Sequence, residues 1–238
     1  MPNCGGPRAL KPPVATALCP ENIRGVLFDM DGLLLDSERL YTQAFHEACA
    51  VFEQPIKNEV WVRCIGTTEA ASRRILAEGF GPDFPLHAVL REFRIRFDAL
   101  QAGGIAPMPG VPELLSALHA WRIPMGLVTS TARTLAGLKL YRARLGDYFS
   151  VRICGGEVCA GKPSPDPYRR GVQLLGLEPA QVLVLEDSPN GVKAGIGAGA
   201  QVIQIPDQVQ PTPEVLEFGH TLHKSLHETL EMLLLSRE

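Results

Sequence analysis

Two carboxylates two positions apart, Asp29 and Asp31, end the apolar run at residues 26–28 and are followed at once by Gly32. In an extended chain, residues i and i+2 face the same side, so both acids can look into one small space at the end of a strand. Two adjacent anions repel by about 4 kcal/mol at contact distance in an intermediate dielectric. A protein keeps such a pair where a cation sits beside it or where one carboxylate holds a proton. Either outcome is chemistry rather than packing.

Placing that pair requires elements on both sides of it. Residues 23–28 read as a buried strand, and Asp36 with Ser37 as a helix start. Within SERLYTQAFHEACAVF, Leu40, Ala44, Phe45, Ala48 and Phe52 recur at helical spacing. Shorter helical patterns follow at 58–65, 68–78 and 86–101, separated by Pro55, Gly66, Gly79, Gly81, Pro82 and Pro85. No strand pattern interrupts this block, and the loop at 103–110 closes it. Beyond it the rhythm changes. VPELLSALHAW, residues 134–145, DPYRRGVQLLGL, NGVKAGIGAGA and residues 225–235 read as helices, alternating with the strands MGLVTS, VRIC, QVLVLED and QVIQIP. Such alternation predicts βαβ units and a parallel sheet buried on both faces. The expected fold is α/β: a doubly wound, Rossmann-like core of residues 21–36 and 105–238, with an all-helical cap inserted at 37–104. Residues 1–20, with Pro2, Pro7, Pro12, Pro13 and Pro20, read as a flexible tail.

Ligands of open α/β sheets bind beyond the carboxyl ends of the strands. At those ends the chain places Asp29 and Asp31, then Thr129, Ser130 and Thr131, then Glu186, Asp187 and Ser188. The loop after VRIC adds Lys162. Carboxylates, a lysine and hydroxyls meeting on one edge describe a magnesium site that receives phosphate. Mg²⁺ takes one or two protein carboxylates and leaves its other positions to water and phosphate oxygens. The lysine, the hydroxyls and backbone N–H groups would hold the remaining phosphoryl oxygens.

The segments DMDGLLLDSE, VTST, GKPSPDPY and LVLEDSPNGVKAGIGAGA, in this order, resemble the haloacid dehalogenase-like superfamily, in the subgroup with a helical cap after the first strand. The resemblance spans about residues 22–206. It implies that Asp29 is a nucleophile forming an aspartyl-phosphate. Asp31 would protonate the leaving oxygen and later deprotonate water. It further implies that Thr129, with Ser130, and Lys162 bind the transferred phosphoryl group. Mg²⁺ would be held by Asp29, the backbone carbonyl of Asp31 and Asp187, with Glu186 as a ligand or close behind one. In the cap, the loop at 65–69, with Thr67, Thr68 and Glu69, is the expected substrate contact.

Other motif readings fail on chemistry. An EF-hand loop also begins D-x-D, but its fifth position would be Leu33 and Gly32 is misplaced. GEVCAGKP nearly matches a phosphate-binding P-loop, yet Pro163 stands where a hydroxyl is needed. Gly195, Gly197 and Gly199 mimic a dinucleotide fingerprint without its last glycine, and read as close helix packing. His220, His223 and His227 read as a solvated C-terminal helix rather than a metal site. None of the six cysteines forms a C-x-x-C pair; reduced thiols in a cytoplasmic protein are expected, with Cys154 and Cys159 buried.

The net charge of −3 lacks the basic block that nucleic acid or an anionic membrane would require. The partner expected is a small phosphorylated metabolite, bound by a monomer or small homo-oligomer. Family members that cleave carbon–halogen or carbon–phosphorus bonds generally lack the second acid, so Asp31 points to phosphate esters: sugar, polyol or nucleoside phosphates. The resemblance is to the branch that holds β-phosphoglucomutase and pseudouridine-5′-phosphatase. The mutases place an arginine and a lysine where this chain, aligned on Gly66 and Thr129, has Glu69 and Ala132. A phosphatase is therefore expected. A mutase in which Arg133, Arg73 or Arg74 substitutes is the alternative, and a non-catalytic phosphometabolite binder or phospho-acceptor is a third.

Overall fold

Val26, Leu27 and Phe28 are wholly buried because strand β1 (Gly25–Phe28) lies inside a six-stranded parallel sheet of order β3-β2-β1-β4-β5-β6. The computed structural model describes residues 15–65, 67 and 69–237. The other strands are β2 (Met125–Ala132), β3 (Val151–Gly155), β4 (Val182–Glu186), β5 (Gln201–Gln204) and β6 (Thr221–Leu222). Val26 sits opposite Met125 on one side and Leu183 on the other. Successive strand residues alternate between two cores, as the two-residue period of a strand demands. Val26, Phe28, Leu183 and Leu185 pack beneath helices α5 (Val111–Ala120), α6 (Arg133–Arg142) and α10 (Leu226–Leu235). Leu27, Val182 and Val184 pack beneath α7 (Asp166–Leu175), α8 (Pro189–Gly197) and α9 (Pro213–Leu216). The strand order reverses at β1, so the carboxyl ends of β1, β2 and β4 border one crevice.

Between β1 and α5 the described residues form helices: α1 (Ser37–Val51), α2 (Asn58–Trp61), α3 (Glu69–Phe80), α4 (Leu86–Leu100) and short 3-10 turns. They carry their own core of Phe45, Ala48, Cys49, Trp61, Leu76 and Val89, with the Phe45 and Trp61 rings stacked at 4.2 Å. The two chain crossings into this unit run side by side. Asp36 N donates to Ala106 O at 3.0 Å and Met108 N to Leu34 O at 2.9 Å.

Three expectations change. Residues 1–14 of the expected tail lie outside the described residues, but residues 15–20 are tied to the core rather than loose. Ala15 N donates to Phe218 O at 3.1 Å, Thr16 Oγ1 to Gly199 O at 3.1 Å and Cys19 N to Gln201 Oε1 at 2.6 Å. The C-terminal segment is not simply one solvated helix. β6 extends the sheet there, and His223 is buried against Thr229 Oγ1 at 2.9 Å. Among the cysteines, Cys19, Cys49, Cys64 and Cys154 are free thiols, while Cys159 is exposed rather than buried.

Candidate active site

Asp29 is fixed by the sheet: its backbone N–H donates to Leu185 O at 3.0 Å, which sets it at the exit of β1 beside β4. Lys162 arrives from the loop between β3 and α7. Its ammonium donates to Asp29 Oδ1 at 2.5 Å, Glu186 Oε1 at 2.5 Å and Val128 O at 2.9 Å. Three N–H donors thus find three acceptors. Both carboxylates hold the Lys162 proton tightly and push its pKa up against the opposing effect of burial.

Asp29, Glu186 and Asp187 are buried, with one oxygen of each within 4.8 Å of the others. Glu186 already uses both oxygens: Oε1 also takes the Tyr168 hydroxyl at 2.6 Å, and Oε2 takes Ser188 Oγ at 3.1 Å. Among the described residues, no ion pair reaches Asp187. Burial, then Asp29 and Glu186, push its pKa well above the ordinary carboxylate range. Burial likewise lifts Asp29 to about 7, with Lys162 pulling it back. One lysine therefore serves three buried acids, a charge deficit that a hard, oxygen-seeking cation would fill. Gly32 leaves the room this needs. It holds φ at +85°, and a Cβ there would lie 2.5 Å from Asp187 Oδ2.

Asp31 lives in a different environment two residues away. Its Oδ1 takes the Ser37 hydroxyl at 2.7 Å and also the Lys139 ammonium; its Oδ2 takes the Thr131 hydroxyl at 2.7 Å. Burial pushes Asp31 up, but Lys139 and the two hydroxyls outweigh it and hold the acid below its ordinary range. Adjacent acids with divergent environments are the usual sign of divided roles.

Above this floor opens a cavity of about 570 Å³, lined from below by Asp29, Asp31, Thr129, Ser130, Lys162 and Asp187. Six of the expected site residues thus form one floor. Glu186 lies beneath it, fully buried. The roof comes from the inserted helices. Thr67 lines it, though its hydroxyl is engaged by Cys64 O and Ser72 Oγ, each at 2.7 Å. Glu69 lines it too, paired with Arg73 at 2.9 Å and approached by Arg94 at 3.6 Å. Thr68 lies outside the described residues.

Several residues in or beside the cavity carry no readable signal in the sequence. Lys139 sits inside α6, where a lysine reads as solvated. Tyr41 and Phe97, on α1 and α4, line the cavity. Glu38 follows the helix start and is 7% exposed; burial and the neighbouring Asp31 push its carboxyl up to about 8. Of the arginines considered as substitutes, Arg73 lines the cavity. Arg133 is tied to Glu157, and Arg74 lies 4.0 Å from Glu78.

Residues 26–205 match the family model described as haloacid dehalogenase-like hydrolase. A Drosophila melanogaster protein assigned as a pseudouridine-5′-phosphatase is 35% identical over 187 residues, 76% of this chain and 80% of that protein. A phosphorylated carbohydrates phosphatase of Thermotoga maritima is 32% identical over 181 residues, 76% of this chain and 84% of the relative. Among solved structures, CbbY from Rhodobacter sphaeroides in complex with xylulose-(1,5)bisphosphate superposes with a TM-score of 0.68 at 28% identity, covering 87% of this chain and 96% of that one. The carboxylate-and-lysine floor at the switch point of a parallel sheet, roofed by inserted helices, thus belongs to a member of the haloacid dehalogenase-like hydrolase family.

Proposed function

We propose that this chain is a Mg²⁺-dependent phosphomonoesterase that hydrolyses a small phosphorylated metabolite through an aspartyl-phosphate on Asp29, with residues 37–104 acting as its cap. One observation carries the reading. Asp29 faces Asp187 with Lys162 on one oxygen, while Asp31, two residues on, is held apart by Lys139, Thr131 and Ser37.

In this reading an Asp29 oxygen attacks phosphorus, and the bond from phosphorus to the ester oxygen breaks. Asp31, which takes up a proton once the phosphate dianion sits beside it, gives that proton to the ester oxygen, so the leaving group departs as an alcohol. The carboxylate of Asp31 then takes a proton from water as the water attacks the aspartyl-phosphate, which frees phosphate and restores Asp29. Lys162 and Thr129 meet the phosphoryl oxygens, with Ser130 beside them at the cavity wall. Asp29, Asp187 and the Asp31 backbone carbonyl would hold Mg²⁺, with Glu186 fixing Lys162 from below. When bound, the metal draws negative charge from the phosphoryl group and lets Asp29 stay ionised.

The names of the relatives support sugar, polyol or nucleoside phosphates as the substrate class. The many free thiols support a cytoplasmic location. A panel of such esters, assayed with and without Mg²⁺, tests the function. Metal-dependent phosphate release that Asp29→Asn abolishes is expected; full activity in that variant would sink the mechanism.

A phosphomutase is the second reading, favoured by Arg73 and Arg94 on the cavity wall. Against it, Arg73 is engaged by Glu69 at 2.9 Å. Hexose phosphate isomerisation that depends on a bisphosphate, without net phosphate release, would establish it.

A further inference from the structure

Lys139 belongs to α6 of the sheet-bearing core, yet its side chain is only 1% exposed. Its ammonium joins two groups from different parts of the molecule: the carboxylate of Asp31, in the turn after β1, and the hydroxyl of Tyr41 on α1, 3.0 Å away. The Tyr41 and Phe97 rings stack at 4.1 Å, nearly parallel, and Lys139 Nζ lies 5.0 and 5.5 Å from their centroids. Tyr41 and Phe97 come from α1 and α4, the first and last long helices of the insertion. Tyr41, Phe97 and Asp31 all line the cavity.

These contacts give Lys139 little freedom. An ammonium buried this deeply is costly without its anion, so it stays on Asp31. Its aromatic cradle fixes where it stays, by attraction between the cation and the ring faces. Asp31 is thereby held by three donors on three elements: Ser37 at the start of α1, Thr131 on β2 and Lys139 on α6. Hydroxyls rotate and follow a moving carboxylate. The ammonium, wedged between helices, is the rigid member of the set.

We propose that Lys139 is a positioning residue that fixes the orientation of the Asp31 carboxylate and ties it to the cap through Tyr41 and Phe97. This rests on the phosphomonoesterase reading, in which Asp31 protonates the leaving oxygen. A leaving group seated under the cap would touch the same rings that hold the ammonium. Cap occupancy and placement of the acid then pass through one side chain.

The leaving group provides the test. An alkyl phosphate expels an alkoxide that must be protonated as it departs, whereas p-nitrophenyl phosphate expels a stable phenolate that needs no acid. The constant kcat/KM reports the steps through departure of the leaving group. It would be measured for p-nitrophenyl phosphate and for the best alkyl ester among glycerol 3-phosphate, ribose 5-phosphate, a hexose 6-phosphate, uridine 5′-monophosphate and pseudouridine 5′-monophosphate. Lys139→Met keeps the stem and removes the ammonium. Its kcat/KM should fall on the order of 10²-fold for the alkyl ester, the scale of lost general-acid catalysis, and less than about 10-fold for p-nitrophenyl phosphate. Tyr41→Phe keeps the ring stack and Lys139 but frees the ammonium on one side. It should change the ratio in the same direction by a smaller factor, and it carries the test alone if Lys139→Met does not fold. Equal losses on both esters, or no loss on either, would overturn the proposal by making Lys139 a packing residue. If the wild-type enzyme releases phosphate from none of these esters, the phosphomonoesterase reading fails first and takes the proposal with it.

Discussion

Tyr168 donates its hydroxyl to Oε1 of Glu186 at 2.6 Å, the same oxygen that receives Lys162 at 2.5 Å. Both side chains are wholly buried, and burial with the adjacent Glu186 pushes the Tyr168 pKa far above its ordinary value. The phenol is therefore a permanent donor. It shares the negative charge of Glu186 and frees Lys162 to bind Asp29 as well.

Tyr168→Phe should consequently weaken the fold and the site together. A hydrogen bond to a charged group contributes about 1.5–3 kcal/mol, and here the acceptor has no water to fall back on. Urea unfolding at pH 8 should show a loss of that size with an unchanged m-value. A loss below about 0.5 kcal/mol, under the usual net worth of even a neutral hydrogen bond, would mean that Ser188 and Lys162 satisfy Glu186 by themselves.

Lys162→Met asks more of the structure. It leaves Asp29 and Glu186 buried together without their shared cation, and breaking a buried ion pair from one side costs about 3–5 kcal/mol. Phosphate release should fall below detection. Metal-free protein should lose far more stability at pH 8 than at pH 5, because acidification neutralises the stranded carboxylates. An equal loss at both pH values would show that packing of the lysine stem dominates.

The parts of this site that the sequence makes legible are those set by strand topology. Asp29 and Asp187 directly follow buried strands and Thr129 ends the buried run of β2, so these apolar runs announce them, and the parallel order brings them together. Lys162 is legible through its loop. Lys139 is not, because its burial depends on α1 and α4 folding over α6, contacts between segments far apart in the chain. The C-terminal strand escapes for a simpler reason. Two residues, Thr221 and Leu222, are too few to display alternation, so His223 looks solvated until Gln204 O is found accepting its N–H at 3.0 Å.

Gly32 is the residue of the D-x-D-G run whose role is purely spatial. Its φ of +85° disfavours any side chain, and a Cβ would fall 2.5 Å from Asp187 Oδ2. Gly32→Ala should cost about 1–3 kcal/mol from strain and crowding. It should also displace Asp187, raising the Mg²⁺ concentration needed for half-maximal activity. If alanine cost stability while the metal requirement stayed the same, the crowding would be relieved away from Asp187.

The final prediction concerns pH. Asp29 is raised from about 3.8 to about 7 in the folded protein, Glu38 from about 4.5 to about 8, and Asp187 shifts the same way. Between pH 4.5 and 8 the folded state therefore binds more protons than the unfolded chain, so metal-free stability should fall as pH rises through that window. The depressed pKa of Asp31 acts only below it, where its stabilisation is lost on acidification. Mg²⁺ binds the ionised carboxylates and must displace their protons, so its effect has the opposite slope. In the presence of a chelator, Tm should drop from pH 5 to pH 8. Adding Mg²⁺ should raise Tm more at pH 8 than at pH 5. Asp187→Asn removes one of the crowded acids, and should flatten the first trend and abolish most of the second. If Mg²⁺ raised Tm equally at both pH values, the metal would be bound elsewhere than on these buried acids.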